Sequence, residues 1–288
     1  MTRSAPPPVD FLAKRTRKAI VGRVRAVFND QARGEKPVKR SDDGLFGRSS
    51  MIWRVHGDVT TMMVGGVSAL LLQMLHPAVL AGVWDHSHFR HDMLGRLRRT
   101  ARFIALTTYG SREQANEAIA QVREVHRHVT GYLPDGTPYS AKDPHLLAWV
   151  HVAEATSFLR AWQRYGDRPL SAEQQDRYFA EFGHIAEALG AAPVPCSWAE
   201  ADRLIGDMRG ELAVSARTRE VARLVLRQRP ANPMALPVQA VTFQAAVDLL
   251  PSWARRMHGL RSSALAKPLV EAGASGIART LRWAFSGN

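Results

Sequence analysis

Apolar residues recur at three- and four-residue steps along most of this 288-residue chain, and alternating apolar–polar runs are scarce. That period is helical. It predicts helices at about 88–108, 112–130, 144–165, 172–189, 198–214, 217–228, 237–249 and 262–284. Three of the starts carry a Ser followed three residues later by Gln or Glu: Ser111/Gln114, Ser171/Gln174 and Ser197/Glu200. In such a capping box each side chain satisfies a backbone N–H that the first turn leaves open. Gly131 to Tyr139 reads as a turn-rich loop, and Pro230, Pro233 and Pro237 mark a further break.

One stretch is apolar all round. Val59 to Trp84 contains no Asp, Glu, Lys or Arg, and about 20 such residues suffice to cross a bilayer. His76-Pro77 interrupts it near the middle, Gln73 and three hydroxyl residues punctuate it, and Gly65-Gly66 weakens a continuous helix. The stretch therefore reads as two buried segments, 59–75 and 77–85, that form a core helix pair. The expected fold is all-α: one multi-helix domain with a globin-like or bundle-like core and a basic N-terminal arm. Residues 1–48 would form the arm and its polar linker, and residues 49–288 the helical domain.

Composition supports a packed protein. With 45% hydrophobic and 23% charged residues, the chain is neither disordered nor fibrous. A single cysteine, Cys196, excludes an internal disulfide and any cluster held by this chain's own thiolates.

Charge changes the picture more. The formal net charge is +13, and it is concentrated. Residues 1–40 carry eleven Lys/Arg against three acids, and Arg90 to Arg102 carries five Arg against Asp92. In the first cluster Phe11, Leu12, Ile20, Val21, Val24, Val27 and Phe28 recur among the bases, the pattern of a basic amphipathic helix. Three uses stay open: a docking helix, attachment of residues 1–28 to an acidic membrane surface, or nucleic-acid binding. No aromatic-rich ribbon or helix-turn-helix signature favours nucleic acid. A secretory signal is absent, so the expected location is cytoplasmic, with the membrane surface as a peripheral contact.

Eleven histidines are the main chemical resource. His126 falls four after Val122 and three before Val129, on the apolar stripe of helix 112–130. Such a histidine is either a hydrogen-bonded core residue or a ligand. Arg96, Arg99 and Thr100 share one helical face beside the apolar Leu97, Ala101 and Ile104, where a guanidinium needs an anion: a distant acid or a bound ligand. His86, His88 and His91 have metal-like spacing, yet only His88 and His91 would face together. His151 is followed one turn later by Glu154, which would be placed to orient it. A carboxylate-bridged di-iron bundle would need two Glu-x-x-His motifs, and the chain has one, Glu181-x-x-His184.

Several segments together resemble a known family. They are Leu75-His76-Pro77, Asp85-His86-Ser87, Arg96-x-x-Arg99-Thr100, Val125-His126-x-x-Val129-x-Gly131 and Trp149-Val150-His151. Over about residues 50–250 the chain is similar to the rubber oxygenase (latex clearing protein) and ER-bound mycophenolic-pathway oxygenase catalytic-domain family. The resemblance implies an all-helical oxygenase with haem b, whose iron is held by His126 as proximal ligand. It places Arg96 and Thr100 near the haem, and Arg99 where rubber oxygenases carry a distal lysine. A guanidinium there keeps its charge and forks differently from an amine. The expected partners are dioxygen and a small hydrophobic or prenyl-like substrate, with oxidative alkene cleavage as one reaction. Polyisoprene itself is not expected without a secretion signal. The alternative class is a non-catalytic haem or lipid-binding protein docked on acidic membrane.

Overall fold

A computed structural model describes residues 8–29, 34–230 and 232–286. The described residues are all-α with one small hairpin. The N-terminal half runs α1 (Pro8–Phe28), α2 (Met51–His56), α3 (Val59–Gln73), α4 (Pro77–His86), α5 (Met93–Tyr109) and α6 (Arg112–Arg127). Strands β1 (Thr130–Tyr132) and β2 (Pro138–Ser140) follow, then α7 (Pro144–Tyr165), α8 (Ala172–Leu189) and α9 (Trp198–Met208). The chain ends in α10 (Ala216–Leu226), α11 (Leu236–Leu249), α12 (Ser252–His258) and α13 (Lys267–Phe285).

The uncharged stretch is the centre of the molecule. Helix α3 packs along α7 as the most extensive helix pair, and eleven of its residues are buried. The two run antiparallel. At one end the Gln73 carboxamide donates to the Val150 carbonyl (3.1 Å), and the Trp149 indole N–H donates back to the Gln73 carbonyl (3.2 Å). In the middle Gly65 lets the backbones approach: a Cβ there would lie 2.8 Å from Phe158 Cδ1 and 3.0 Å from the Ser157 carbonyl oxygen. At the other end Asp58 caps α3 by accepting the Thr61 N–H (3.0 Å) and pairs with Arg282 of α13 at 2.5 Å.

His76-Pro77 breaks the stretch where the sequence indicates. Pro77 occupies the first turn of α4, and the His76 imidazole caps it by accepting the Ala78 N–H (3.3 Å). The axes of α3 and α4 meet at 104°, and no single helix among the described residues is long and apolar enough to cross a membrane. Helices α5 and α6 form a hairpin through Gly110-Ser111, with the Ser111/Gln114 capping box in place.

Some boundaries differ from expectation. Helix α5 begins at Met93, because Asp92 accepts the Gly95 N–H (2.8 Å) and leaves His88–His91 in a turn. The turn-rich loop contains the antiparallel hairpin, with Gly131 opposite Tyr139. Helices α2 and α12 have six and seven residues, too few for a period to show. Helix α1 packs on α13 and α5; residues 1–7 of the anticipated arm and 30–33 of its linker lie outside the described residues.

Gly65 and Gly206 give a paired test of this packing. Both lie inside helices, but no atom stands within 4 Å of a Cβ at Gly206. Gly206→Ala should stabilise by up to about 1 kcal/mol through helix propensity. Gly65→Ala should destabilise by about 1–3 kcal/mol, because backbone atoms of α7 would have to move. Urea unfolding midpoints of the two variants check both signs.

Candidate functional site

Four of the five sequence motifs fasten the fold. His76 caps α4, and its Nε2 meets Glu211 at 3.2 Å. Asp85 accepts the Tyr139 hydroxyl (2.8 Å), and His86 Nε2 donates to the Thr130 carbonyl (3.0 Å), so α4 holds both strands of the hairpin. Gly131 is required there, since a Cβ would lie 2.6 Å from the Tyr139 hydroxyl. Trp149 and Val150 form the exchange with Gln73 described above. His88 and His91 are exposed, and no three metal-ligating side chains come together among the described residues.

Two residues have no such task. Arg96 is half-buried and has no hydrogen-bond or ion-pair partner among the described residues. Burial, and then the nearby Arg99 charge, lower its pKa from the usual arginine value. Arg99 is exposed and 3.5 Å from Asp92, and the Thr100 hydroxyl donates to the Arg96 carbonyl (3.3 Å). The second residue is His126. Its Nδ1 is buried without a partner, and burial holds its pKa below the usual histidine value, so the imidazole is neutral at pH 7. Because α6 folds back along α5, Arg96 and His126 both stand at the end of the hairpin remote from Gly110.

His126 borders a cavity of about 660 Å³, within the roughly 300–1,000 Å³ usual for ligand and cofactor sites. Ile119, Arg123, Glu124 and Arg127 of α6, Lys142 after the hairpin, and Leu189-Gly190 at the end of α8 also line it. Arg127 pairs with Glu124, whose carboxylate also meets His128 at 3.0 Å. Arg123 donates to the Ala188 carbonyl at 3.5 Å. The wall includes none of Arg96, Arg99 and Thr100. The structure thus places His126 with a different set of cations from the one the motif indicates. The expected apolar stripe is buried only in its first half, at Ala115, Ala118 and Ile119; Val125 is 56% exposed and lies outside the cavity wall. Arg123 was legible as one helical turn before His126, whereas Lys142 lies in a turn that no periodicity marks.

A second group of polar residues is sealed inside. His56 bridges Thr108 (2.9 Å) and the Tyr178 hydroxyl (3.2 Å), while His151 packs on Phe182 with its Nε2 unpartnered. Burial pushes His56 down to about 3 and His151 to about 4, and burial raises Glu154 to about 7. Glu154 takes its hydrogen bond from Gln73 and does not orient His151 as its spacing suggested.

Over residues 53–283 the chain matches the family described as ER-bound oxygenase mpaB/B'/Rubber oxygenase, catalytic domain. The chain belongs to this family. The match covers α3 to α12 entirely, and hence the α5–α6 hairpin and the His126 cavity. No curated protein and no solved structure matches the chain.

The buried ionisable groups fix how stability depends on pH. His56 and His151 stay neutral in the folded protein, whereas the unfolded chain takes up protons near pH 6.5. Protonation below that pH favours unfolding, and His76, His126 and His258, also lowered by burial, act in the same direction. Glu154 acts oppositely: its contribution is full below the ordinary value of 4.5 and lost as pH rises to about 7. The histidines outweigh it. Stability should peak near pH ~6.5 and fall by a few kcal/mol towards pH ~4. Urea midpoints across this range, and a flatter profile in His151→Gln, check the assignment.

Proposed function

We propose that this oxygenase-family domain is a haem-b-dependent oxygenase acting with dioxygen on a small hydrophobic, prenyl-like substrate. The observation that carries the reading is the His126 imidazole, neutral, with a buried orphan nitrogen, at the wall of a cofactor-sized cavity in the matched domain. These residues suit haem. A single neutral imidazole serves as axial ligand. Arg123 and Lys142 supply positive charge for the propionates, Arg127 is shared with Glu124, and Ile119 and Leu189 supply apolar wall. When bound, the haem would supply the iron that activates dioxygen.

The chain's own residues would do the rest. Burial keeps the proton off His126, so the ligating lone pair stays available below the ordinary histidine pKa. Arg96, unpaired and half-buried, offers a fixed positive charge that no side chain of the described residues neutralises. Arg99 is already engaged by Asp92. In this reading Arg96, more than Arg99, is the uncommitted cation at this end of the hairpin, outside the cavity wall, and Thr100 supports the helix turn that carries it. The peripheral contact of residues 1–28 with an acidic membrane belongs to the same proposal, as does a cytoplasmic location.

Haem titration of the purified protein should produce a Soret band with saturable stoichiometry. His126→Ala should abolish the histidine-ligated spectrum and lower haem affinity by at least about tenfold, in line with losing a metal ligand or its support. Absence of haem uptake by the wild type, or an unchanged spectrum in the variant, would overturn the reading. Arg96→Ala should retain the ligand spectrum and lower turnover, whereas Arg99→Ala should affect turnover less.

A further inference from the structure

A second cavity, sharing no residue with the His126 cavity, has a volume of about 350 Å³ and lies over α2. Arg40, Arg48 and Arg54 line it with Ser49, Ser50 and Trp53, and no carboxylate belongs to its wall. We propose that it is a binding site for a phosphoryl dianion.

The guanidiniums are pre-set by aromatic rings. Arg40 stands over Trp53 at 5.8 Å and Tyr109 at 5.1 Å, Arg48 over Trp53 at 5.7 Å, and Arg54 over Trp162 at 5.5 Å. Stacking occupies a guanidinium's face and leaves its in-plane N–H groups for oxygen ligands. Arg40 has no hydrogen-bond or ion-pair partner among the described residues. Arg54 donates only to the Arg168 carbonyl, at 3.3 Å, which satisfies a donor without cancelling charge.

Two acids of this region are already paired. Asp42 pairs with Arg48, while Glu181 accepts the Ile52 N–H (2.9 Å) and pairs with Arg177 (2.7 Å). Two guanidiniums, Arg40 and Arg54, line this cavity with no ion-pair partner among the described residues. Trp53 adds an independent sign of a missing partner: it is 7% exposed, and its indole Nε1 is buried without a hydrogen-bond acceptor. A buried donor of that kind costs about 1–3 kcal/mol when left unmade. Two forked cations match a group with three acceptor oxygens and about two negative charges better than a carboxylate. A free phosphate ester and a phospholipid headgroup share this chemistry.

Calorimetric titration of the full chain with inorganic phosphate tests the site. Saturable binding should weaken with added salt, and should be at least tenfold weaker in Arg40→Ala and lost in Arg40→Ala/Arg54→Ala. Arg40→Lys, which keeps charge and removes the fork, should fall between wild type and Arg40→Ala. Arg40 is exposed and its side chain makes no hydrogen bond among the described residues, so the single variant should keep its far-UV circular dichroism and serves if the double variant does not fold. Cosedimentation with phosphatidic acid vesicles, against phosphatidylcholine vesicles, distinguishes the sources. Vesicle binding that needs Arg40 assigns a lipid headgroup, and phosphate binding without vesicle binding assigns a soluble ester. Binding of neither, or binding unaltered in Arg40→Ala, would overturn the proposal.

Discussion

Helix α3 has fifteen residues and not one charge, so the molecule must enclose it. Burying such a helix is favourable per unit of apolar area but leaves its polar groups to be satisfied by neighbours. Helix α7 meets both demands. It supplies Phe158 against Gly65, and it supplies the Val150 carbonyl and Trp149 indole to the Gln73 end. Asp58 at the other end ties in α13 through Arg282, which also reaches the Tyr165 carbonyl at 3.1 Å. The hydrogen bonds at the two ends fix the register of α3 on α7, and the glycine fixes their separation. The 104° elbow at His76-Pro77 then directs α4 towards the hairpin, whose second strand leads into α7.

That arrangement explains why motifs resembling an active-site signature do structural work. A histidine before proline caps a helix, and an Asp-His pair pins a hairpin. Each is polar and has found a partner within the fold, which is what stability alone asks of it. Functional candidates are better sought where this accounting fails. It fails at several buried atoms, and three of the failures border open volume or a charge: His126 Nδ1, Arg96 and the indole of Trp53. His151 Nε2 fails as well, but it is packed against Phe182 in the sealed interior, where burial alone accounts for its low pKa. An orphan group beside open volume differs from an orphan group in a packed core: only the first leaves room for a ligand.

The long helices were legible because their apolar period extends over several turns, and their starts because Ser–Gln boxes report local backbone chemistry. Both boxes at Ser111 and Ser171 form as the spacing indicates. The elbow was legible for the same local reason, a proline preceded by a capping histidine. Helices α2 and α12 were not, because one turn and a half gives no period. At the candidate site, His126 could be placed on its helix, but its surroundings could not. Lys142 and Gly190 reach the cavity through the hairpin and the end of α8, long-range placements that leave no mark in local spacing. The three-arginine cavity was hidden for another reason. Arg40 reads as part of a basic linker, and only the fold sets it over Trp53 and Tyr109.

Charge accounting sharpens the site further. In sequence, the five arginines between Arg90 and Arg102 form one basic cluster that seeks an anion. In the fold they disperse. Arg90 stacks on Trp84 at 4.7 Å, Arg98 donates to the Ala26 carbonyl of α1 at 2.9 Å, Arg102 to the Lys36 carbonyl at 3.1 Å, and Arg99 faces Asp92. Two of these arginines thus dock the N-terminal segment onto α5 through backbone carbonyls. Arg96 alone keeps a desolvated guanidinium with no partner among the described residues. A half-buried charge in that condition is costly unless an external anion completes it. The requirement for an anion at this end of the hairpin therefore rests on one side chain, Arg96, which stands outside the wall of the His126 cavity.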